Sequence, residues 1–412
     1  MSPEVRGGDP LKVAIIHYWM LKMRGGEKVL QSLCEMYPQA DIFTHVYSPK
    51  DMSAEIRKHT VRETFIGRLP MAKKLYKSYL PLMPMALEQL DMSEYDLIIS
   101  SESGPAKGVI ARPDAVHVCY CHSPMRYLWD QYPQYRRTAG AFKKLVMPFL
   151  MGGLRQWDVT SAARVDHFVA NSNAVAARIN KYWRRPSEVI APPVDVERFS
   201  AREPREDFFL FVGELVPYKR ADLAIRACTL MSRRLIVIGD GPEMASLRRI
   251  AGPTIEFLGR VPFDILAEHY ARCRAFLFPA EEDFGIVPVE AMASGAPVIA
   301  FARGGSRDFV VPDRTGLFFH KQTVSDMVSA ITRFEACQHI FDPLKIAEHA
   351  SGFHGDFFKL RMRAVIDRLL AGDDKGQVLN SEPQDRGPGT PAPPGTVGRR
   401  DDSPFSAIQA AG

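Results

Sequence analysis

Two glutamates, Glu282 and Glu290, are separated by seven residues that include Phe284, Gly285 and Pro288. Pro288 suits the first turn of a helix, which puts Glu290 inside that turn and lets Glu282 project from the loop before it. Both carboxylates can then reach one ligand lying over the positive end of the helix, one accepting hydrogen bonds from sugar hydroxyls and the other from a ribose. Either residue could also serve more blandly, Glu290 complementing the helix dipole and Glu282 sitting in solvent. Lys219 and Arg220 follow Pro217 just ahead of another helical pattern, where a cation can face a diphosphate or simply form a solvated basic turn.

Glycines gather at corresponding places: Gly25-Gly26, Gly213 before Glu214, Gly239 and Gly241 around Asp240, and Gly304-Gly305. Each follows an apolar run or opens a helical pattern, so backbone N–H groups can approach a phosphate without a Cβ in the way. Any one pair reads equally well as a tight turn. Their recurrence at strand ends favours an anionic ligand. His122 also directly follows an apolar run, although a lone histidine there is ordinarily structural.

The elements that would position these residues are legible as apolar runs alternating with helical periodicity. In the first half, runs at 11–17, 41–47, 96–100, 116–121 and 166–170 alternate with segments such as 27–36, as βαβ units of a parallel sheet do. Pro192-Pro193, within 190–195, cannot continue a helix and marks the interdomain linker. Beyond it the alternation restarts, with strands expected at 208–212, 235–238, 255–258, 275–278 and 297–300 and helices at 221–230 and 287–293. The fold class is therefore α/β: two Rossmann-like domains, 1–191 and 192–371, facing across a cleft where ligands bind. A closing helix over 353–371, with Phe357, Leu360, Val365 and Leu369 as its apolar stripe, is expected to be free to pack back on the first domain. The stretch 372–412, rich in Pro, Gly and Thr over 381–397, reads as a disordered tail.

Length and composition agree with this division. The chain has 412 residues, 46% hydrophobic and 25% charged, which suits a soluble two-domain protein. A net charge of +5 over that length gives no argument for nucleic acid. No apolar run approaches the roughly 20 residues that cross a bilayer, and the first ten residues lack a signal-peptide core, so a cytoplasmic address is expected. Cys34, Cys119, Cys121, Cys228, Cys273 and Cys337 show no zinc spacing and read as reduced thiols, with Cys119 and Cys121 in a buried strand.

Taken in order, these segments resemble the retaining glycosyltransferases of GT-B fold and GT4 type, and within them the mannosyltransferases of bacterial exopolysaccharide and O-antigen assembly. The resemblance rests on Gly-Gly-Glu-Lys (25–28), His-Ser-Pro-Met-Arg-Tyr-Leu-Trp-Asp (122–130), Ala-Asn-Ser (170–172), Pro-Pro-Val-Asp (192–195), Val-Pro-Tyr-Lys-Arg (216–220), Gly-Asp-Gly-Pro (239–242) and the Glu282 to Glu290 block running on through Ala-Met-Ala-Ser-Gly. It implies transfer of a hexose, with GDP-mannose the expected donor, to a polyprenyl-diphosphate-linked saccharide. Gly25 and Gly26 would approach the donor diphosphate, Gly213, Gly239 and Gly241 would lie near the nucleotide, and Lys219 with Arg220 would meet the leaving diphosphate. Glu290 would hold the ribose. Glu282 and the backbone of Phe284, Gly285 and Ile286 would position the donor sugar, and His122 would stand against that sugar.

No metal and no cofactor beyond the donor are expected, since backbone donors, a helix N-terminus and Lys219 aim at the charge that develops on the leaving group. No Asp-x-Asp motif occurs. Relatives commonly carry Arg where this chain has Glu214, and losing one such donor costs roughly 2.7–4 kcal/mol of transition-state stabilisation. Arg220 or Arg303 is expected to compensate by holding Glu214. A sugar-nucleotide 2-epimerase on the same fold and a donor-binding, non-enzymatic relative are the alternatives.

On the acceptor side, Arg57, Lys58, Arg62, Arg68, Lys73, Lys74 and Lys77 interleave with Phe65, Ile66, Leu69, Leu75, Tyr76, Tyr79 and Leu80. Arg136, Arg137, Lys143 and Lys144 do so with Phe142, Leu145, Val146, Phe149 and Leu150. Such surfaces can lie on an anionic membrane, here the inner face of the plasma membrane, or can be solvated helix faces.

Overall fold

A computed structural model describes residues 10–138 and 140–372; the tail expected over 372–412 falls, from residue 373 on, outside the described residues. Residues 10–371 belong to one compact unit.

The first sheet is built from β1 (Val13–His17), β2 (Asp41–Thr44), β3 (Val61–Glu63), β4 (Leu97–Glu102), β5 (Val116–Cys121), β6 (His167–Ala170) and β7 (Glu188–Val189). Their spatial order is β3-β2-β1-β4-β5-β6-β7, with every pairing parallel. Every residue of β1 and β4 is buried, as expected for strands covered by crossover helices on both faces. The second sheet contains β8 (Phe209–Val212), β9 (Leu235–Ile238), β10 (Ile255–Gly259), β11 (Ala275–Phe278), β12 (Val298–Phe301) and β13 (Gly316–Phe319), ordered β10-β9-β8-β11-β12-β13 and again all parallel. These are two Rossmann-like domains of the GT-B arrangement.

In each sheet the chain winds outward from the first strand, then returns to its other side. Strand order therefore reverses between β1 and β4 and between β8 and β11, and the loops at those carboxyl ends diverge to leave a crevice. The loops after β1, β8 and β11 carry Gly25-Gly26, Lys219 and Glu282.

Two crossings join the domains. The linker after β7 meets the returning chain where Val194 N–H donates to Phe353 O at 3.0 Å. The last described helix, Gly355–Ala371, then buries Phe358, Met362, Val365 and Ile366 in the same core as Ile15, Leu97, Val118 and Tyr120 of the first sheet. Of the apolar stripe expected on this helix, Val365 and Leu369 face that core, whereas Phe357 is 49% and Leu360 66% exposed. The burying face is shifted by one residue at its start, because it is set by the groove over β1, β4 and β5, and Phe358 meets the Tyr120 ring edge-on at 5.5 Å.

Candidate active site

The C-terminal wall of the crevice is the helix Ile286–Ala293, whose N-cap is Gly285 at φ +102°, a left-handed conformation that favours glycine. Pro288 lies in its first turn and Glu290 follows. Glu282, in the preceding loop, forms an ion pair with Lys219 of the short turn Pro217–Lys219. A cation and a carboxylate from the loops after β8 and β11 thus meet at the switch point of the second sheet. Glu290 receives the Tyr270 hydroxyl on Oε2 at 3.4 Å and faces Lys28 Nζ with Oε1 at 3.3 Å. Burial, reinforced by the carboxylate beside it, holds the Tyr270 phenol well above its usual range.

Phe284 itself is core, packed on Phe309 and Phe353, so only its backbone is available to a ligand. Gly239, at φ +133°, lies so close to Gly213 that a Cβ would stand 1.9 Å from Gly213 O. Gly241 packs equally tightly on the backbone of Leu215. The Gly-Asp-Gly turn is thereby required by the approach of two loops, independently of any nucleotide.

The N-terminal wall begins with Gly25 and Gly26, the first residues of the helix Gly25–Met36. Gly25 faces Ile286 across the crevice, close enough that a Cβ would stand 3.0 Å from its Cδ1, and Gly26 sits under the Tyr18 hydroxyl. His122 follows β5, its amide donating to Glu102 O at 2.8 Å and its carbonyl accepting from Asn171 Nδ2 at 3.0 Å. Its Nε2 is 2.8 Å from Ser101 Oγ, which in turn is 3.0 Å from His17 Nδ1. Burial, reinforced by His17, pulls the His122 pKa down to about 3.

Besides Glu290 and the approach of Gly25 to Ile286, the contacts between the walls come from residues not singled out as site residues in the sequence. Asp283 pairs with both Arg126 and Arg178, and its carbonyl accepts from Ser172 Oγ at 2.5 Å. Asn173 donates twice to Asp308, from its amide at 3.0 Å and from Nδ2 at 2.6 Å. Lys28 Nζ bridges Glu290 and Asp195, each at 3.3 Å. Arg126 and Ser172 lie inside segments already noted as motifs, which was the available signal. Their shared partner Asp283 lies in the Glu282–Glu290 block, but the pairing itself is not legible in sequence, because the partners stand more than 100 residues apart.

The expected compensation for Glu214 is not what the structure shows. Arg220 is engaged by Asp222, with Nε to Oδ1 at 3.0 Å and Nη2 to Oδ2 at 3.2 Å. Arg303 is exposed, its guanidinium 6.0 Å from the centre of the Phe301 ring. Proximity within their own segments decides both. The six cysteines are free thiols, all buried except Cys337, which is half-buried, and burial raises the pKa of Cys119 and Cys121.

Two family models match the chain in tandem: "Glycosyltransferase Family 4" over residues 23–198 and "Glycosyl transferases group 1" over 195–350. Among curated proteins, a GDP-mannose-dependent alpha-mannosyltransferase of Mycobacterium tuberculosis (strain CDC 1551 / Oshkosh) is 44% identical over 108 residues, 26% of this chain and 28% of that protein. A GDP-mannose-dependent alpha-(1-6)-phosphatidylinositol monomannoside mannosyltransferase of Mycobacterium tuberculosis (strain ATCC 25618 / H37Rv) is 32% identical over 174 residues, 35% and 45% of the two chains. The matched stretches thus span under half of either relative. Among solved structures, Anabaena HepE in complex with UDP-glucose superposes with a TM-score of 0.63 at 17% identity, covering 87% of this chain and 99% of that one. Sucrose-phosphate synthase from Thermosynechococcus elongatus gives 0.63 at 19% identity, covering 88% and 100%. These superpositions establish the fold.

Proposed function

We propose, from the premise that the chain is a glycosyltransferase of the GT4 type, that it transfers mannose from GDP-mannose with retention of configuration to a lipid-linked saccharide in surface-polysaccharide synthesis. The observation that carries the transfer reading is the Lys219–Glu282 pair beside the N-terminus of the Ile286–Ala293 helix, with Glu290 one turn along. In this reading Lys219 neutralises the departing diphosphate, the helix N-terminus adds partial positive charge, and the two glutamates accept hydrogen bonds from hydroxyls. These groups supply the electrostatic stabilisation, so the reading assigns no metal to the reaction. The mannose and guanosine preferences are supported by the two mannosyltransferase relatives.

A lipid-linked acceptor calls for a surface that meets a membrane. No helix of the described residues is long and apolar enough to cross one. Met71, Leu75, Leu82 and Met85 are exposed close to Arg68, Lys73, Lys74 and Lys77, and Leu145, Phe149 and Leu150 are exposed near Lys144. Leu80 packs into the apolar clusters beneath both groups, which places them side by side. The sequence expectation contracts in two ways. Ile66 is buried and Phe65, Leu69, Tyr76, Tyr79 and Leu80 pack into the core, while Lys58 and Arg62 are paired with Glu55 and Asp41. The side chains of Phe142 and Lys143 lie outside the described residues.

The direct test is a panel of nucleotide sugars scored by thermal shift and by turnover. GDP-mannose is expected to stabilise the protein most, by about 2.7 kcal/mol at a hundredfold over its dissociation constant. A panel in which no nucleotide sugar raises the unfolding temperature would defeat the proposal.

A further inference from the structure

Beneath the crevice, four polar side chains, from β1, the Gly25–Met36 helix, β4 and the loop after β5, form a line whose two inner members, His17 and Ser101, lie in none of the sequence motifs. Glu27, on the first turn of the Gly25–Met36 helix, presents Oε1 to His17 Nε2 at 3.7 Å. His17 Nδ1 is 3.0 Å from Ser101 Oγ, which is 2.8 Å from His122 Nε2. Glu27, His17 and Ser101 are 3%, 1% and 0% exposed, so bulk solvent does not reach this part of the line. We infer that Glu27, His17 and Ser101 are positioning residues that fix the tautomer of His122, leaving its Nδ1 as a hydrogen-bond acceptor for a hydroxyl of the transferred sugar.

Ser101 has a single hydroxyl proton and lies between two ring nitrogens, so it donates to one and accepts N–H from the other. With His17 neutral, donation by Ser101 to His122 would put the His17 proton on Nδ1 and turn its Nε2 lone pair toward the Glu27 carboxylate. If it donates to His17, the Nε2–H of His17 points at that carboxylate instead. The contact is too long for a hydrogen bond, and His17 Nε2 has no other partner. In a buried setting an N–H dipole facing a carboxylate is nevertheless strongly favoured over a lone pair facing it. The second arrangement requires His122 to donate from Nε2 and to keep a lone pair on Nδ1.

That nitrogen is where a ligand would meet the ring. His17 Nε2 and His117 Nδ1 are sealed and unpaired, whereas His122 Nδ1 is not among the sealed nitrogens and His122 is only half-buried. The depressed pKa keeps the ring neutral near neutral pH. A neutral acceptor nitrogen can take a hydrogen bond from a hydroxyl, offers no ion pair to a carboxylate, and repels its lone pairs. The sugar class favoured at this point is a neutral hexose over a uronic acid. This consequence rests on the transfer reading above; the tautomer does not.

Nitrogen-edited NMR of protein labelled at histidine, recorded without nucleotide, separates the two. The His122 signals, identified by their loss in His122→Gln, are expected to show a single form protonated at Nε2. In Ser101→Ala, and independently in Glu27→Gln, they are expected to shift toward a mixture of both forms while circular dichroism stays native. A wild-type His122 protonated at Nδ1 would overturn the proposal, as would signals that stay in place in whichever variant folds. A thermal-shift comparison of nucleotide-linked hexose and uronate then reads the sugar preference. A failure confined to that comparison counts against the transfer reading and leaves the tautomer standing.

Discussion

Lys219 illustrates how much one side chain is asked to do. It sits in a three-residue turn whose entry Pro217 closes, it is paired with Glu282 from a different loop, and it also lies over the ring of its neighbour Tyr218. Arg220 next to it is committed to Asp222, so it does not stand in for Lys219 without breaking a bidentate pair. Substituting Lys219→Met should therefore remove the diphosphate's cation and leave Glu282 without its partner. Loss of one preorganised donor of this kind costs roughly 2.7–4 kcal/mol, so kcat should fall about a hundredfold to a thousandfold, with KM for the nucleotide sugar changed far less. Steady-state kinetics on the purified variant check this. A fall in kcat below tenfold would mean that another cation reaches the leaving group.

At the scale of elements, the closing helix shows what periodicity reads and what it misses. Its sequence contains apolar residues at more than one helical phase, and of the expected stripe Val365 and Leu369 face the core while Phe357 and Leu360 do not. The fold adds Phe358, Met362 and Ile366, because the groove over the first sheet accepts that ridge. Met362→Ala should destabilise the protein by about 2–5 kcal/mol, since its side chain is wholly buried. Leu360→Ala, 66% exposed, should stay within about 0.5 kcal/mol. Urea unfolding distinguishes the two, and equal effects would mean that the helix is docked on its other face. The same logic explains which strands were legible. The central strands announce themselves as continuous apolar runs. β3 is Val-Arg-Glu at a sheet edge and β7 is only Glu-Val, and neither offers a periodic signal. The Glu282–Glu290 spacing and the strand-end glycines were visible because each is local in sequence. The pairs that join the crevice walls, such as Arg178 with Asp283, become visible only when the two sheets face one another.

For the whole molecule, the two walls divide the work unequally. The second domain carries the carboxylates and Lys219, while the first carries His122, Lys28 and the exposed basic and apolar surface around the short turn Tyr76–Leu82. On the proposal of a lipid-tethered acceptor, that acceptor would reach the crevice from the side on which this surface lies, so membrane contact would serve the acceptor more than the donor. Lys73, Lys74 and Lys77 are exposed and have no carboxylate partner among the described residues. Each contributes about 1 kcal/mol beside an anionic bilayer. Replacing all three by Gln should thus weaken binding by about 3 kcal/mol, a little over a hundredfold. Co-sedimentation with vesicles containing anionic lipid should show that loss, and should show wild-type binding falling as salt rises, because the attraction acts over about one Debye length. Turnover of a soluble acceptor analogue should be unaffected, since none of the three lysines belongs to the crevice. Equal binding to neutral vesicles, or binding indifferent to salt, would assign the exposed leucines and Phe149 to a different partner and detach the acceptor's lipid from this face.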